Sequence, residues 1–408
     1  MQLDNGLASP VLWNAEQPHP DRAIGNIRQP PAGPASYSDC CCGRKIHYML
    51  VVAFPAFADS TLNPYNSLLY AQIQARGQRI QEFSWRHLLR WQLPDLLHVH
   101  WPERQILLPG RDLRKVCEFA LFRLYVWATQ IGGGRVVWTA HNVFPHDRPR
   151  SRLNLFLWTR FLSRLDGVIY LSEDSQRQIE AEFSVLRRKK SVVIQHGDYL
   201  EWLTTMNTRA ARDRISRESL GIPSDAKVIL SFGLIRPYKG IDLLVEQFKL
   251  LDNGTHLIVA GYASRPELRA KIEQLSRGRS NIHLLLRWAE GEELAALLEL
   301  SDMVVLPYKT VTNSGAALLA LSAQLPVLGP NMGSMPELQS LVGREWVRLF
   351  EGKISQSQLR EALAWLQTPR AAPNMKPFAW TRIATETLAF YQSLAPRQLT
   401  QPTVRSPE

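Results

Sequence analysis

The 408-residue chain is 45% apolar and 21% charged, the balance of a globular protein, and its length predicts two or three domains rather than one core. Of its net charge of +11, +8 falls between Lys45 and Leu200, where 21 Lys and Arg face 13 Asp and Glu. Such an excess suits an anionic membrane surface or a phosphorylated ligand; with no zinc spacing, no RNA-binding signature and scattered aromatics, nucleic acid ranks last.

Residues 1–44 are rich in Pro, Gly, Asn and Asp without a sustained period and read as a disordered leader. Three of the four cysteines form the run Cys40–Cys42 there, which is neither a disulfide framework nor a metal-ligand spacing. No apolar run is long enough to span a bilayer, and the first residues lack the order of a signal peptide, so a cytoplasmic protein is expected.

The fold is expected to begin with a buried strand over 46–54, followed by a loop to Asn63 and a helix through Tyr65, Leu68, Leu69 and Ile73. A short strand over 96–100 ends in Trp101-Pro102-Glu103. A helix over 113–130 is stopped by three glycines, and a strand over 135–140 ends at His141-Asn142. A helix over 152–164, a strand over 167–171, a helix near 175–182 and a strand over 191–194 complete a first domain of residues 45–205. Residues 206–226, charged and without a strand run, read as a linker. A second domain over 227–379 repeats the rhythm, with strands at 228–232, 255–260, 282–286, 303–306 and 326–328 and helices between them. A helix over 380–395 is free to cross back to the first domain, and 396–408 reads as a disordered tail. Strand alternating with helix predicts an α/β protein of two Rossmann-like, doubly wound domains facing across a cleft, with ligands beyond the carboxyl ends of the strands.

The polar residues after those strand ends are the site candidates. In S-F-G-L-I-R-P-Y-K-G-I-D-L-L (231–244) a strand meets a glycine, a loop carrying Arg236 and Lys239, and a helix start, an arrangement suited to a diphosphate. Arg287 and the run P-Y-K-T-V-T-N-S-G (307–315), with Lys309, Asn313, Ser314 and Gly315, offer a second basic loop opening a helix. Solvated loop cations and an ordinary Asn/Ser cap are the plain alternatives, but two such loops in one domain favour a ligand. In the first domain, Glu103, His141 and Asp147 lie past strand ends and are candidate general bases, while His98 reads as a packed sheet residue. No D-x-D occurs to seat a metal on a sugar nucleotide, so neither a metal nor another cofactor is expected. The absence of G-x-G-x-x-G after the first strand and of a P-loop argues against a dinucleotide redox enzyme and excludes a P-loop NTPase. The helices over 111–130 and 152–165 mix arginine with aromatic residues. Most of their apolar side chains are expected to cover the sheet, leaving the arginines for anionic lipid.

The motifs F-G-L-I-R-P-Y-K-G, V-V-L-P-Y-K-x-x-x-N-S-G and L-P-V-L resemble the donor domain of glycosyltransferases with the GT-B fold. N-P-Y, L-H-V-H-W-P-E, H-N-V-F-P-H-D and Q-H-G-D-Y resemble more closely the xanthan-type β-mannosyltransferases of family 94, and family 4 more distantly. The resemblance runs from about Val51 to the end of the second domain. It implies transfer of mannose from GDP-mannose to a polyprenyl-diphosphate-linked oligosaccharide in exopolysaccharide biosynthesis, at the cytoplasmic face of the inner membrane. It also implies that Arg236 and Lys239 hold the diphosphate, that residues 313–315 hold the donor phosphate or sugar, and that Asn63, Tyr65 and Trp101 face the acceptor. Val311 and Leu319 stand where the retaining family 4 enzymes carry two glutamates, which agrees with inversion and with a base on the acceptor side. A retaining transferase using another sugar nucleotide and an inactive sugar-nucleotide or glycan binding module are the alternative readings.

Overall fold

A computed structural model describes residues 49–58, 63–84, 86, 87, 90, 92–102, 113–143, 151–206, 208–251 and 254–394. The leader, the cysteine run, the C-terminal tail, Glu103 and Asp147 lie outside the described residues. Two six-stranded parallel sheets organise the chain. The first holds β1 (Leu50–Phe54), β2 (Arg79–Glu82), β3 (Leu96–Val99), β4 (Arg135–Ala140), β5 (Gly167–Tyr170) and β6 (Lys190–Val193), in the order β2-β1-β3-β4-β5-β6. The second holds β7 (Lys227–Phe232), β8 (Thr255–Ala260), β9 (Ile282–Leu285), β10 (Met303–Val305), β11 (Val327–Pro330) and β12 (Val347–Phe350), in the order β12-β11-β10-β7-β8-β9. Runs such as Val51-Val52-Ala53 and Val228-Ile229-Leu230 are buried, as strands covered on both faces require.

Helices α1 (Tyr65–Ala75), α2 (Leu113–Ile131), α3 (Arg152–Leu162) and α4 (Glu173–Glu182) belong to the first half. The short α5 (Leu200–Thr205) and α6 (Arg209–Arg214) follow. Ile215 and Ile222, from the segment read as a linker, are buried in the core of the second sheet, and Ala211 of α6 is buried as well. That half also carries α7 (Ile241–Phe248), α8 (Pro266–Ser276), α9 (Gly291–Glu299), α10 (Gly315–Ser322), α11 (Met335–Val342) and α12 (Gln356–Trp365). The last helix, α13 (Trp380–Leu394), returns to the first sheet, where Ile383, Leu388, Phe390 and Tyr391 pack with α1, β1 and β5. Glycine makes this docking close. A Cβ on Gly167 would stand 2.7 Å from Leu394 and 2.8 Å from Phe390, and one on Gly197 would collide with the Trp380 ring. Trp380 also donates its indole N–H to the Asp198 carbonyl at 2.8 Å.

Strand order fixes where ligands can reach each sheet. In the first, the order reverses between β1 and β3; in the second, between β7 and β10. At each reversal the flanking loops diverge and leave a crevice at the carboxyl ends.

Behind the first crevice lies a buried polar cluster joining α1, β3, β4 and α13. His98 Nδ1 is 2.7 Å from Tyr70 Oη and 2.6 Å from Tyr391 Oη, and its Nε2 is 2.8 Å from Thr139 Oγ1. His100 Nε2 is 2.7 Å from Tyr70 Oη, and its Nδ1 is 3.1 Å from His141 Nε2. Burial holds His98 down at about 3, and it holds His100 and His141 well below the ordinary histidine value, with neighbouring imidazoles adding to the shift. The folded protein therefore keeps these rings neutral at pH values where the unfolded chain takes up protons. Their stabilising contribution is complete above the unfolded value near 6.5 and is lost as pH falls toward the folded values. Between pH 7.5 and 5.5 the unfolding free energy should fall by about 1 kcal/mol for each of the three histidines, read as a lower urea midpoint. An unchanged midpoint over that range would show that the rings take up protons in the fold as readily as in the unfolded chain, and a raised one that they are protonated in the fold.

Candidate active site

The second crevice is built by two loops that glycine allows to close on each other. β7 continues through Gly233, at φ +100°, into a helical turn at Pro237–Lys239 that ends at Gly240, at φ +66°. A Cβ on Gly240 would collide with the Pro307 carbonyl. With none there, the loop after β10 runs alongside, and Lys309 N donates to Tyr238 O at 2.7 Å. The two loops and the start of α10 enclose a cavity of about 190 Å3 lined by Lys239, Tyr308, Asn313, Ser314, Gly315 and Asn142, among others. Ser314 caps α10 by accepting from Ala317 N at 3.2 Å. The N–H groups of Gly315 and Ala316 donate to no described residue and border the cavity. That helix end carries partial positive charge.

Four cations were expected around this crevice, and their surroundings separate them. Arg287 donates to both carboxylate oxygens of Glu293, at 2.6 and 2.9 Å, and Lys309 lies 3.7 Å from Asp242, which also pairs with Lys271 at 2.7 Å. Neither Arg287 nor Lys309 borders the cavity. Lys239 does. Its ammonium stands 5.3 Å over the Tyr308 ring, and among the described residues none offers it a hydrogen bond or a carboxylate. Burial lowers its pKa; Tyr238 opposes that shift, and the positive charge of Arg236 in the same loop adds to it. A desolvated ammonium without a counter-charge is unfavourable in isolation and attracts an anion.

On the facing side, Tyr65 is buried at the start of α1, whose backbone N–H at that residue donates to Asn63 Oδ1 at 3.1 Å. Its ring lies 5.0 Å from His141, 4.6 Å from His196 and 5.3 Å from Trp380, centroid to centroid. Trp101 stacks on His141 at 4.2 Å. The structure thus gathers Tyr65, Trp101 and His141, while Asn63 holds the turn beneath them.

The two sides touch. Asn313 donates through Nδ2 to the His141 carbonyl at 3.2 Å and accepts from Ser172 Oγ at 3.1 Å. Glu337 accepts from the N–H of Glu173 at 2.9 Å, at the first turn of α4. Asn313, expected on the donor, therefore spends its amide on joining the halves. Two further residues enter the site that were not among the candidates. His196 and Tyr199, after β6, reach Gly315, where a Cβ would stand 3.0 Å from Tyr199 Oη and 3.5 Å from His196 Nε2. Their signal was present, since Q-H-G-D-Y follows a strand end as the other clusters do.

Comparison with known proteins agrees with this geometry. A family model described as "Glycosyl transferases group 1" matches residues 226–365. The GDP-mannose:glycolipid 4-beta-D-mannosyltransferase of Xanthomonas campestris pv. campestris is 31% identical over 329 residues, covering 80% of this chain and 86% of that protein. The D-inositol 3-phosphate glycosyltransferase of Jonesia denitrificans is 24% identical over 272 residues, 61% of this chain and 62% of the relative. Among solved structures, the sucrose-phosphate synthase of Thermosynechococcus elongatus superposes with a TM-score of 0.60 at 17% identity, over 85% of this chain and 99% of that one. Anabaena HepE in complex with UDP and glucose gives 0.56 at 13% identity, over 87% and 100%. At such identities the structures speak for the fold, and the Xanthomonas relative for the family. The chain belongs to the GT-B glycosyltransferase family that contains the Xanthomonas mannosyltransferase.

Proposed function

We propose that this glycosyltransferase moves mannose from GDP-mannose to a polyprenyl-diphosphate-linked oligosaccharide, with inversion at the anomeric carbon, in exopolysaccharide biosynthesis. The observation that carries the donor reading is Lys239, a half-buried ammonium with no hydrogen bond or carboxylate among the described residues, lining the same cavity as Gly315 and Ala316 at the opening of α10. A diphosphate supplies the missing negative charge, and the same groups stabilise it as it leaves. On this reading no divalent metal is needed. GDP-mannose as donor and a glycolipid as acceptor are supported by the name and 31% identity of the Xanthomonas relative. Inversion is supported by Val311 and Leu319, apolar where a retaining site carries carboxylates. The first domain then supplies the base; of the sequence candidates His141 lies among the described residues, and Glu103 and Asp147 lie outside them.

The outward face of α2 supports work at a membrane. Its buried stripe includes Phe122, Tyr125 and Val126, yet Leu121, Leu124, Trp127 and Ile131 face outward, with Trp127 48% and Ile131 67% exposed. On α3, Leu153 and Phe156 are also exposed. Arg123 of α2 lies close enough to Arg160 and Arg164 for their charges to lower its pKa, after the larger effect of its own burial. A helix that is apolar outward as well as inward, flanked by clustered arginines, fits the interface of an anionic bilayer. Among the described residues no helix is long and apolar enough to cross one.

Purified protein given GDP-mannose and a polyprenyl-diphosphate oligosaccharide should form a β-linked mannoside, identified by NMR of the new anomeric centre. An α-linked product, or turnover only with another sugar nucleotide, would refute this assignment; tight GDP binding without turnover would leave a binding module. In co-sedimentation, vesicles containing phosphatidylglycerol should retain the protein and phosphatidylcholine vesicles should not. Replacing Trp127 and Phe156 together by Ser should weaken retention at least tenfold while GDP binding persists. Equal retention by both lipids, or by the double variant, would remove α2 and α3 from membrane contact.

A further inference from the structure

His196 follows β6, outside both strand-order reversals, and the mechanism so far assigns it no part. Its Nδ1 is 2.7 Å from the Gly197 carbonyl, and because a carbonyl only accepts, Nδ1 must carry the proton. Nε2 is then the lone-pair nitrogen. It stands against Gly315 at the opening of α10, and among the described residues it has no hydrogen-bond partner. His141 differs, since its Nε2 is engaged with His100.

The His196 ring borders a second cavity, of about 30 Å3, with Ser172, Asn313 and Ser314 on its walls. Asn313 and Ser314 also border the larger cavity beside Lys239. A space for one hydroxyl-sized group therefore adjoins the space for the diphosphate, with the α10 opening between them.

We infer that His196 is the proton acceptor for the attacking hydroxyl of the acceptor. This rests on the mannosyl-transfer reading above. The hydroxyl oxygen bonds to the anomeric carbon as its proton passes to Nε2. The bond from that carbon to the diphosphate oxygen breaks, its electron pair leaving with GDP, and the imidazolium afterwards releases its proton to water. The Gly197 carbonyl holds the ring in the tautomer this step needs, and its bond to Nδ1–H strengthens as charge develops. Burial keeps the ring neutral, pushing it down to about 4, and an anion seated on α10 raises it toward working pH. The titratable groups around the ring are Tyr65 from α1, His141 after β4, and Asp198 and Tyr199 from its own segment, with Glu337 of α11 reached through Gln195. Trp380 of α13 flanks the same Tyr65 ring without titrating.

The test is His196→Asn, whose amide N–H can replace the donor to Gly197 O but cannot take up a proton, with His196→Gln as a second variant. With GDP-mannose and glycolipid, kcat should fall at least 100-fold in both. The GDP Kd should stay within threefold of wild type, and the acid limb of the wild-type pH profile should be absent from the residual rate. A smaller loss of kcat in either variant, or a loss of GDP affinity as large as the loss of rate, would overturn the assignment. A wild-type enzyme that transfers no mannose would instead defeat the underlying reading, which the wild-type control reports separately.

Discussion

Lys239 is held where its charge is least supported. Its ammonium lies against Gly233 and over the face of Tyr308, and Arg236 repels it from the same loop. Such a position persists because the loops around it are over-determined: Gly240 adopts a left-handed conformation, leaving room for the Pro307 carbonyl, and Tyr238 and Lys309 are tied backbone to backbone. The fold thus stores an unfavourable charge at the opening of a helix. On the proposed reading a donor diphosphate would relieve it, making binding energy available at the group that must later depart.

Charge is divided between the two halves. The second domain offers a cation and a helix dipole, whereas the facing side of the first offers indoles and imidazoles, the latter kept neutral by burial. The division follows from topology. Both sheets present their carboxyl ends to the cleft, but their order reverses at different strands, so distinct loop pairs frame the two crevices. α13 completes the arrangement from behind. By lending Tyr391 to His98 and Trp380 to the Tyr65 ring, it makes the chain's last helix part of the first domain's cluster. Asn313 then ties the halves, bonded to the His141 carbonyl on one side and to Ser172 on the other.

Much of this was legible from periodicity. Buried runs such as Val51–Ala53 and Thr255–Ala260 announce central parallel strands because both of their faces are covered. Two edge strands escaped: β2, reading R-I-Q-E, carries one apolar residue, and β12, reading V-R-L-F, is only four residues long. Basic loops at strand ends were legible as well, but the fate of each cation was not. Asp242 pairs with Lys309 through tertiary packing of α7, which no local pattern reveals, whereas Glu293 pairs with Arg287 from only six residues along the chain. The part His196 plays was hidden for the same reason, because the proximity of β6 to α10 depends on how two domains separated by more than a hundred residues close together.

The central claim, that a half-buried lysine without a carboxylate partner among the described residues grips the donor's diphosphate, is tested most directly by isothermal titration of GDP into wild type and Lys239→Ala, with Lys309→Ala alongside. Loss of a charge-assisted hydrogen bond predicts GDP binding weaker by about 10- to 100-fold in Lys239→Ala, and a much smaller effect for the carboxylate-paired Lys309. Unchanged GDP affinity in Lys239→Ala would contradict the account.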